Sequence, residues 1–314
     1  LTQRHLGMHV SIANAGHADM IELKDGSWYA VFLASRPYGG YHKNLGRETF
    51  IVPVTWEEEW PVFNSGYGTI QFTYKGPDLP EYPIKSLSVK DDFNDKTLGM
   101  CWNYLGTPKE DTCILEDSCL KIKMSKFSIG KGMREKKERQ KGYIEKTEVL
   151  GFVGRRQRHM SFVCSAKLIF SPKERMTAGI VMLQNAYQQL RIEIGLNDRN
   201  EKVVRVVRGY HSLEWSLVHK DDSGEYREEV IKEILWVSET AIFQIVAKMQ
   251  KLTLSVTDGG NINHFLVTTD GSFLGSETAG GFVGTYIGMF ASGNGKEYDE
   301  YAAFDWFYYE GLES

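Results

Sequence analysis

Several features that would assign a chain to a particular class are scarce or missing in this sequence. Only four cysteines occur in 314 residues, at Cys101, Cys113, Cys119 and Cys164. They lack paired C-x-x-C spacing, which argues against a zinc ligand set, and they are too few for a disulfide-stapled scaffold. We therefore expect free thiols. No apolar run approaches the roughly 20 residues that a membrane-spanning helix needs, so we expect no membrane partner.

Charge of one sign and the common catalytic signatures are also lacking. The net charge is −4, which predicts no nucleic-acid partner. There is no Gly-x-Ser-x-Gly elbow, P-loop or dinucleotide fingerprint. The nearest match to a jelly-roll glycosidase motif, Glu-x-Asp-x-x-Glu, is Glu297-Tyr298-Asp299, but its last position is Ala302. The mixed-charge run at 133–141 is interpreted as a solvated loop.

Aromatic residues and glycine are plentiful, with 7 Trp, 16 Tyr, 16 Phe and 31 Gly. An Asp-Gly pair near the N-terminus lies between two short runs that return on each other, residues 20–23 and 28–33. This pattern predicts a β-hairpin, and we expect a type I′ turn with positive φ at Asp25 and Gly26.

Further strands are expected between the hairpin and residue 75. A strand at 49–54 is predicted to be broken by Pro53, and an acidic turn follows between Trp56 and Trp60. Short strands are predicted at 61–63 and 69–72. So few strands cannot bury their own faces, because blade-type units need about three neighbours.

The rest of the chain alternates polar and apolar residues between turn signals, with no long amphipathic helix. About a dozen short strands at this spacing predict a two-sheet jelly-roll β-sandwich. The predicted strands are 98–104, 119–124, 162–170, 178–184, 190–195, 202–208, 214–219, 230–237, 241–249, 252–258, 264–269, 285–290 and 303–309.

Proline spacing predicts the domain boundary. Pro77, Pro80 and Pro83 stiffen a short connector. We predict a first unit at 1–75, a proline-rich linker at 76–88 and a C-terminal β-sandwich at 89–314.

Two groups of motifs carry a family resemblance. Gly16-His17-Ala18-Asp19 before the hairpin and Gly46-Arg47-Glu48 after it closely resemble the fourth-to-fifth-blade region of family 43 glycoside hydrolases, the β-xylosidases and α-L-arabinofuranosidases. The second group resembles their C-terminal sandwich, and its motifs are Asp91-Asp92-Phe93, Gly154-Arg155-Arg156-Gln157, Gly281-Phe282-Val283-Gly284 and Phe304-Asp305-Trp306-Phe307.

The resemblance implies an all-β chain, in which the last part of a five-bladed β-propeller precedes a jelly-roll, concanavalin-like β-sandwich. It implies inverting exo-hydrolysis that releases xylose or arabinose from xylo-oligosaccharides or arabinoxylan. The catalytic Asp, Asp and Glu of the family lie on blades that precede the Gly-His-Ala-Asp motif, so we expect this chain alone to be inactive. The preceding blades are then an expected partner, and a homo-oligomer remains open.

The resemblance also assigns substrate-binding residues. Arg47 is implied to bind the glycone, because its planar guanidinium can bond two sugar oxygens. The alternative is a structural pair between Arg47 and Glu48 or another acidic residue of the blade. His17 is implied to lie near the propeller axis, and a structural histidine is its alternative. Phe282 is implied to close the pocket, with an ordinary core position as its alternative.

No cofactor is needed for the hydrolytic chemistry. Asp92 and Asp305 come from the first and last strands of the sandwich, which are neighbours in such folds. With backbone carbonyls they could hold a structural Ca²⁺, and polar capping is the alternative.

Two other functions remain open. The sandwich would bind xylan by itself if it is a carbohydrate-binding module. It would only buttress the propeller if it is structural. We also expect six apolar residues of the first unit to lack neighbours that cover them, namely Trp28, Phe32, Leu33, Phe50, Trp56 and Trp60.

Overall fold

A computed structural model describes residues 10–84, 86–130, 150–211 and 226–312. The strand predicted at 214–219 and the charged loop predicted at 133–141 lie outside these residues. Within them, no helix has both the length and the apolar character needed to cross a membrane. All four cysteines are free, with Cys119 and Cys164 buried.

The first unit forms one four-stranded antiparallel sheet in the order β1-β2-β3-β4. Its strands are β1 (Ala13–Glu22), β2 (Trp28–Ser35), β3 (Glu48–Glu57) and β4 (Trp60–Phe63). Alternate residues of β2 and β3, such as Phe32 and Val52, point to one buried face. This up-and-down sheet has the form of a propeller blade.

One turn prediction needs correction. The hairpin is present, but Asp25 does not have positive φ and only Gly26 does, at 81°. The Asp25 carboxylate instead accepts bonds from the Ser27 N–H and hydroxyl, at 2.9 and 2.6 Å. Positive φ at both central residues occurs in the acidic turn, at Glu58 and Glu59. Two glutamates therefore adopt the positive-φ turn that the sequence pattern associates with glycine.

Two strand predictions in the first sheet were wrong. Pro53 does not break its strand, because β3 runs through it and Pro53 lies opposite Tyr29 of β2. The Pro53 carbonyl accepts the Asn64 N–H at 3.0 Å. This bond does not require the backbone N–H that proline lacks. Residues 69–72 form no strand; instead Ile70 packs into the core of the sheet.

The expectation of uncovered aromatic residues was correct only in part. Phe32 is 3% exposed and stacks with Phe50 at a centroid distance of 6.0 Å. Trp56 and Trp60 remain exposed, Trp60 at 76%. The sheet thus covers one face with its own residues and leaves an aromatic edge open.

The remaining strands build a sandwich of two antiparallel sheets. One sheet has the order β17-β16-β15-β10-β19-β8-β7, with β5 beside β19, and the other has the order β14-β13-β12-β11-β18-β9-β6. In chain order these strands are β5 (Lys90–Asp91), β6 (Asn103–Tyr104), β7 (Cys113–Glu116), β8 (Cys119–Lys123), β9 (Phe152–Arg156), β10 (Phe162–Ile169), β11 (Thr177–Leu183), β12 (Gln189–Leu196), β13 (Lys202–His211), β14 (Tyr226–Leu235), β15 (Thr240–Lys248), β16 (Lys251–Thr257), β17 (Asn263–Asp270), β18 (Tyr286–Ser292) and β19 (Tyr301–Gly311).

Apolar residues at every second position fill the space between the two sheets. On β12 these are Leu190, Ile192 and Ile194, which face the same core as Phe243 and Phe304 of the opposite sheet. Alternation in the sequence therefore predicted most of these strands to within a few residues. The strand predicted at 98–104 is shorter, since only Asn103–Tyr104 pairs.

A buried ion cluster lies on the other face of β12. Glu193 is 2% exposed and accepts bonds from Arg191 Nε and Arg205 Nε, both at 2.7 Å. Burial alone would raise the pKa of Glu193, but the two guanidinium groups lower it below its ordinary value. The cluster costs desolvation energy, so it is stable only while all its charges are matched.

We predict that Glu193→Gln lowers the free energy of unfolding at pH 7 by about 3 kcal/mol, because the buried Arg191 and the partly buried Arg205 lose their shared anion. The wild-type advantage is complete above the ordinary glutamate pKa of about 4.3 and is lost as the pH falls through the lower folded-state pKa. Urea unfolding at pH 7 and pH 3 measures both effects. Glu229→Gln is the control, since Glu229 pairs with Arg208 at an exposed site, and a loss there equal to that at Glu193 would contradict the prediction.

Candidate active-site cleft

The loop between β2 and β3 joins the first sheet to the sandwich. Its two ends are tied by Arg36, whose Nε and Nη2 each donate to a different oxygen of Glu48 at 2.8 Å. Because Glu48 is engaged by Arg36 in this bidentate pair, the alternative in which Arg47 pairs with Glu48 is not what the structure contains. Arg47 is left to point elsewhere.

Asn44 anchors this loop to the sandwich, and it is 2% exposed. Its side-chain N–H donates to the Gly271 carbonyl at 2.9 Å, and its side-chain oxygen accepts from Gln250 at 3.0 Å. Its own carbonyl accepts the Thr285 N–H at 2.7 Å. Each polar group would be costly to bury alone, so their mutual bonding fixes the loop in one place.

Two glycines let the backbones meet at this junction. Gly46 has φ of 70°, and a Cβ there would lie 2.2 Å from the Gly284 nitrogen. A Cβ on Gly284 would lie 2.2 Å from the Leu45 carbonyl oxygen. That oxygen accepts a bond from Arg156 Nη2 at 3.0 Å. No other residue fits at either position without a backbone shift.

We predict that Gly284→Ala loosens the loop and lowers the free energy of unfolding by about 1–3 kcal/mol, because the added methyl group overlaps the Leu45 carbonyl. Limited proteolysis should cut faster within residues 36–47. Gly76→Ala is the matched control, since a Cβ there meets nothing within 4 Å. Equal stability and equal cleavage in the two variants would show that the close approach is not needed.

Arg47 and Phe282 meet across the junction. The Arg47 guanidinium carbon lies 4.0 Å from the centre of the Phe282 ring, a cation–π contact. The ring is 69% exposed, so Phe282 does not have the ordinary core position that was its alternative. Two predicted site residues, separated by most of the chain in sequence, are thus brought together.

A cleft of about 170 Å³ opens beside this pair. Its lining mixes cations, one carboxylate and small polar residues: Asn14, Ser35, Lys43, Arg47, Ser276, Glu277, Gly281 and Phe282. Lys43 Nζ donates to Asn14 Oδ1 at 3.3 Å, which ties β1 to the rim. Glu277 is the one carboxylate in the lining that the structure describes, and hydrolysis of a glycosidic bond needs two.

His17 is not part of this lining. It lies in an irregular part of β1, where the pairing register shifts on both sides of Gly16, and it is exposed with φ of 52°. Asn14, with φ of 55°, lines the cleft instead. A role for His17 in substrate binding stays a prediction.

The two carboxylates predicted as calcium ligands each pair with a lysine. The Asp92 carboxylate pairs with Lys90 at 2.5 Å, and that of Asp305 pairs with Lys167 at 2.7 Å. Within the residues described here, no group of three or more His, Cys, Asp or Glu side chains could hold a metal ion. The calcium site with backbone carbonyls as further ligands stays a prediction.

Sequence reasoning missed Asn14, Lys43, Glu277 and the anchor Asn44. Asn14 carries a local signal, because asparagine tolerates positive φ and marks irregular strands. The sequence carries no local signal for Lys43, Asn44 or Glu277, since the residues that they contact lie far away in sequence.

Comparison with protein families places both parts of the chain. Residues 90–310 match the family described as Beta xylosidase C-terminal Concanavalin A-like domain, and residues 1–61 match Glycosyl hydrolases family 43. The non-reducing end alpha-L-arabinofuranosidase BoGH43B of Bacteroides ovatus is 32% identical over 300 residues, which cover 95% of this chain and 51% of that protein. A xylosidase/arabinosidase of Butyrivibrio fibrisolvens is 32% identical over 315 residues, covering 98% and 54%.

Solved structures give the same result. The Bacteroides ovatus Xyloglucan PUL GH43B superimposes with a TM-score of 0.78 at 30% identity, over 97% of this chain and 55% of that one. The GH43 BlXynB protein from Bacillus licheniformis does so with a TM-score of 0.79 at 25% identity, over the same shares. The chain spans about half the length of the relatives it matches.

Proposed function

Because this chain belongs to the family of beta xylosidase C-terminal concanavalin A-like domains and carries a glycosyl hydrolase family 43 segment before that domain, we propose that it forms the C-terminal part of an inverting exo-acting glycoside hydrolase. The enzyme releases xylose or arabinose from the non-reducing ends of xylo-oligosaccharides or arabinoxylan. Two relatives are named for such activities, one as an arabinofuranosidase and one as a xylosidase/arabinosidase.

The observation that carries this proposal is the contact between Arg47 and Phe282 at the rim of the cleft. The Arg47 guanidinium carbon lies 4.0 Å from the centre of the ring, beside the cleft. Five donors in a planar fork suit the neighbouring hydroxyl groups of a terminal pentose. The phenylalanine ring adds an apolar wall beside them.

The catalytic carboxylates belong to propeller blades other than the one described. An inverting enzyme needs an acid and a base about 6.5–9.5 Å apart. Glu277 does not fill either role, because His42 Nδ1 and the Lys43 N–H occupy its two oxygens, at 2.9 and 3.0 Å. The exposed Trp56 and Trp60 offer the apolar edge against which another blade packs.

We predict that Arg47→Ala, in the protein together with its preceding blades, lowers kcat/KM by at least about 10²-fold, since a charge-assisted, multidentate contact is lost. Arg47→Lys should restore little of this, because an ammonium group cannot reproduce the planar fork. Initial rates on nitrophenyl xyloside and arabinofuranoside measure both variants.

Arg175→Ala is the control, since Arg175 is an exposed arginine in the loop between β10 and β11. Kinetics near wild type for Arg47→Ala would return Arg47 to a structural role. Retardation of the unpartnered chain on xylan gels, with no hydrolysis once the blades are present, would instead favour the carbohydrate-binding alternative.

A further inference from the structure

The segment between β17 and β18 presents Phe282 to the cleft. It contains a short helix, α1 (Ser276–Ala279), followed by Gly280 and Gly281, with φ of 75° and 80°. A Cβ on either glycine would meet nothing within 4 Å, so little packs around this part of the backbone. The position of Phe282 must therefore be set by bonds at the two flanks of the glycines.

Two amide side chains from the sandwich hold these flanks. Gln184 Nε2 donates to the Val283 carbonyl at 2.8 Å, and Asn185 Nδ2 donates to the Ala279 carbonyl at 2.9 Å. Both come from the turn between β11 and β12. They fix the segment to the sandwich, but they do not set its distance from Arg47.

Glu277 adds a side-chain link to the Arg47 loop, beside the Asn44–Thr285 bond and the Gly46–Gly284 contact. Its Oε1 lies 2.9 Å from His42 Nδ1, and its Oε2 accepts the Lys43 N–H at 3.0 Å. The carboxylate folds back over Gly275, where a Cβ would lie 2.1 Å from Oε1. The Glu277 side chain on α1 thus contacts two consecutive residues, His42 and Lys43, of the loop that ends at Arg47.

We propose that Glu277 is a positioning residue for substrate binding: together with the Gly46–Gly284 contact, it sets the separation between Arg47 and Phe282 and thereby the width of the cleft. This inference rests on the proposed function, since it assigns a role within the same site. Glu277 lies five residues before Phe282, and His42 lies five residues before Arg47. The contact between Glu277 and His42 therefore joins the two segments close to Phe282 and Arg47.

The test compares Glu277→Ala with Glu277→Gln in the protein with its preceding blades. Alanine removes both acceptors, and we expect KM for a nitrophenyl glycoside to rise about tenfold with little change in kcat. Glutamine keeps an oxygen for the Lys43 N–H and an N–H₂ group for an unprotonated Nδ1, so KM should stay near wild type. Glu300→Ala is the control, since its pair with Lys173 lies at the opposite end of the sandwich.

A double variant separates positioning from simple stabilisation. If Glu277 acts through Phe282, then Glu277→Ala should raise KM far less in a Phe282→Ala background than in wild type. Hydrogen exchange of residues 278–284 should accelerate in Glu277→Ala and not in Glu277→Gln. Additive effects on KM, or a wild-type KM in Glu277→Ala, would overturn the inference.

The exchange measurement needs no substrate, so it distinguishes the two possible failures. An inactive wild-type protein, tested with its blades, would contradict the proposed function. Exchange that is unchanged by Glu277→Ala would contradict the positioning role, whatever the activity.

Discussion

The structure depends on the burial of Asn44 between the first sheet and the sandwich. Its side chain bonds both Gly271 and Gln250, and its carbonyl bonds Thr285, so three separate parts of the sandwich hold one residue of the β2–β3 loop. A polar side chain that is 2% exposed would otherwise be destabilising. The loop is therefore ordered only where these partners are present.

That anchor explains how a cleft forms between two separately built units. Asn44 directly follows Lys43, whose backbone N–H is bonded by the Glu277 carboxylate. It lies two residues before Gly46, whose close contact with Gly284 brings Arg47 to Phe282. The first unit contributes the Arg47 guanidinium. The sandwich contributes the Phe282 ring and the Glu277 carboxylate, which bonds the loop. Neither unit alone presents this arrangement, so under the proposed function the sandwich takes a direct part in substrate recognition and not only a supporting one.

The sequence predicted the strands well because alternation reports directly which face is buried. The prediction for β12 was 190–195, and the strand is Gln189–Leu196. Turn geometry was predicted less well, since the Asp-Gly signal favoured a type I′ turn at Gly26. The structure has positive φ at both central residues of a turn at Glu58 and Glu59 instead, where the sequence contains no glycine to predict it.

The site residues divide in the same way. Arg47 and Phe282 could be named because they lie in motifs that resemble a known family. Their mutual contact and the bonds from Glu277 to His42 and Lys43 could not be predicted, because these contacts join positions more than 200 residues apart. His17 does not line this cleft, where Asn14 from the irregular part of β1 lies instead, and its role in substrate binding stays a prediction.

The central claim is that this chain completes a glycosidase cleft whose catalytic carboxylates lie on other blades. The most direct measurement is the release of nitrophenol from nitrophenyl xyloside and arabinofuranoside, by the pure chain and by the chain supplied with the preceding blades. We expect no hydrolysis by the chain alone and hydrolysis when the blades are present. Robust hydrolysis by the pure chain would contradict the account, because it would require a pair of catalytic carboxylates within this cleft.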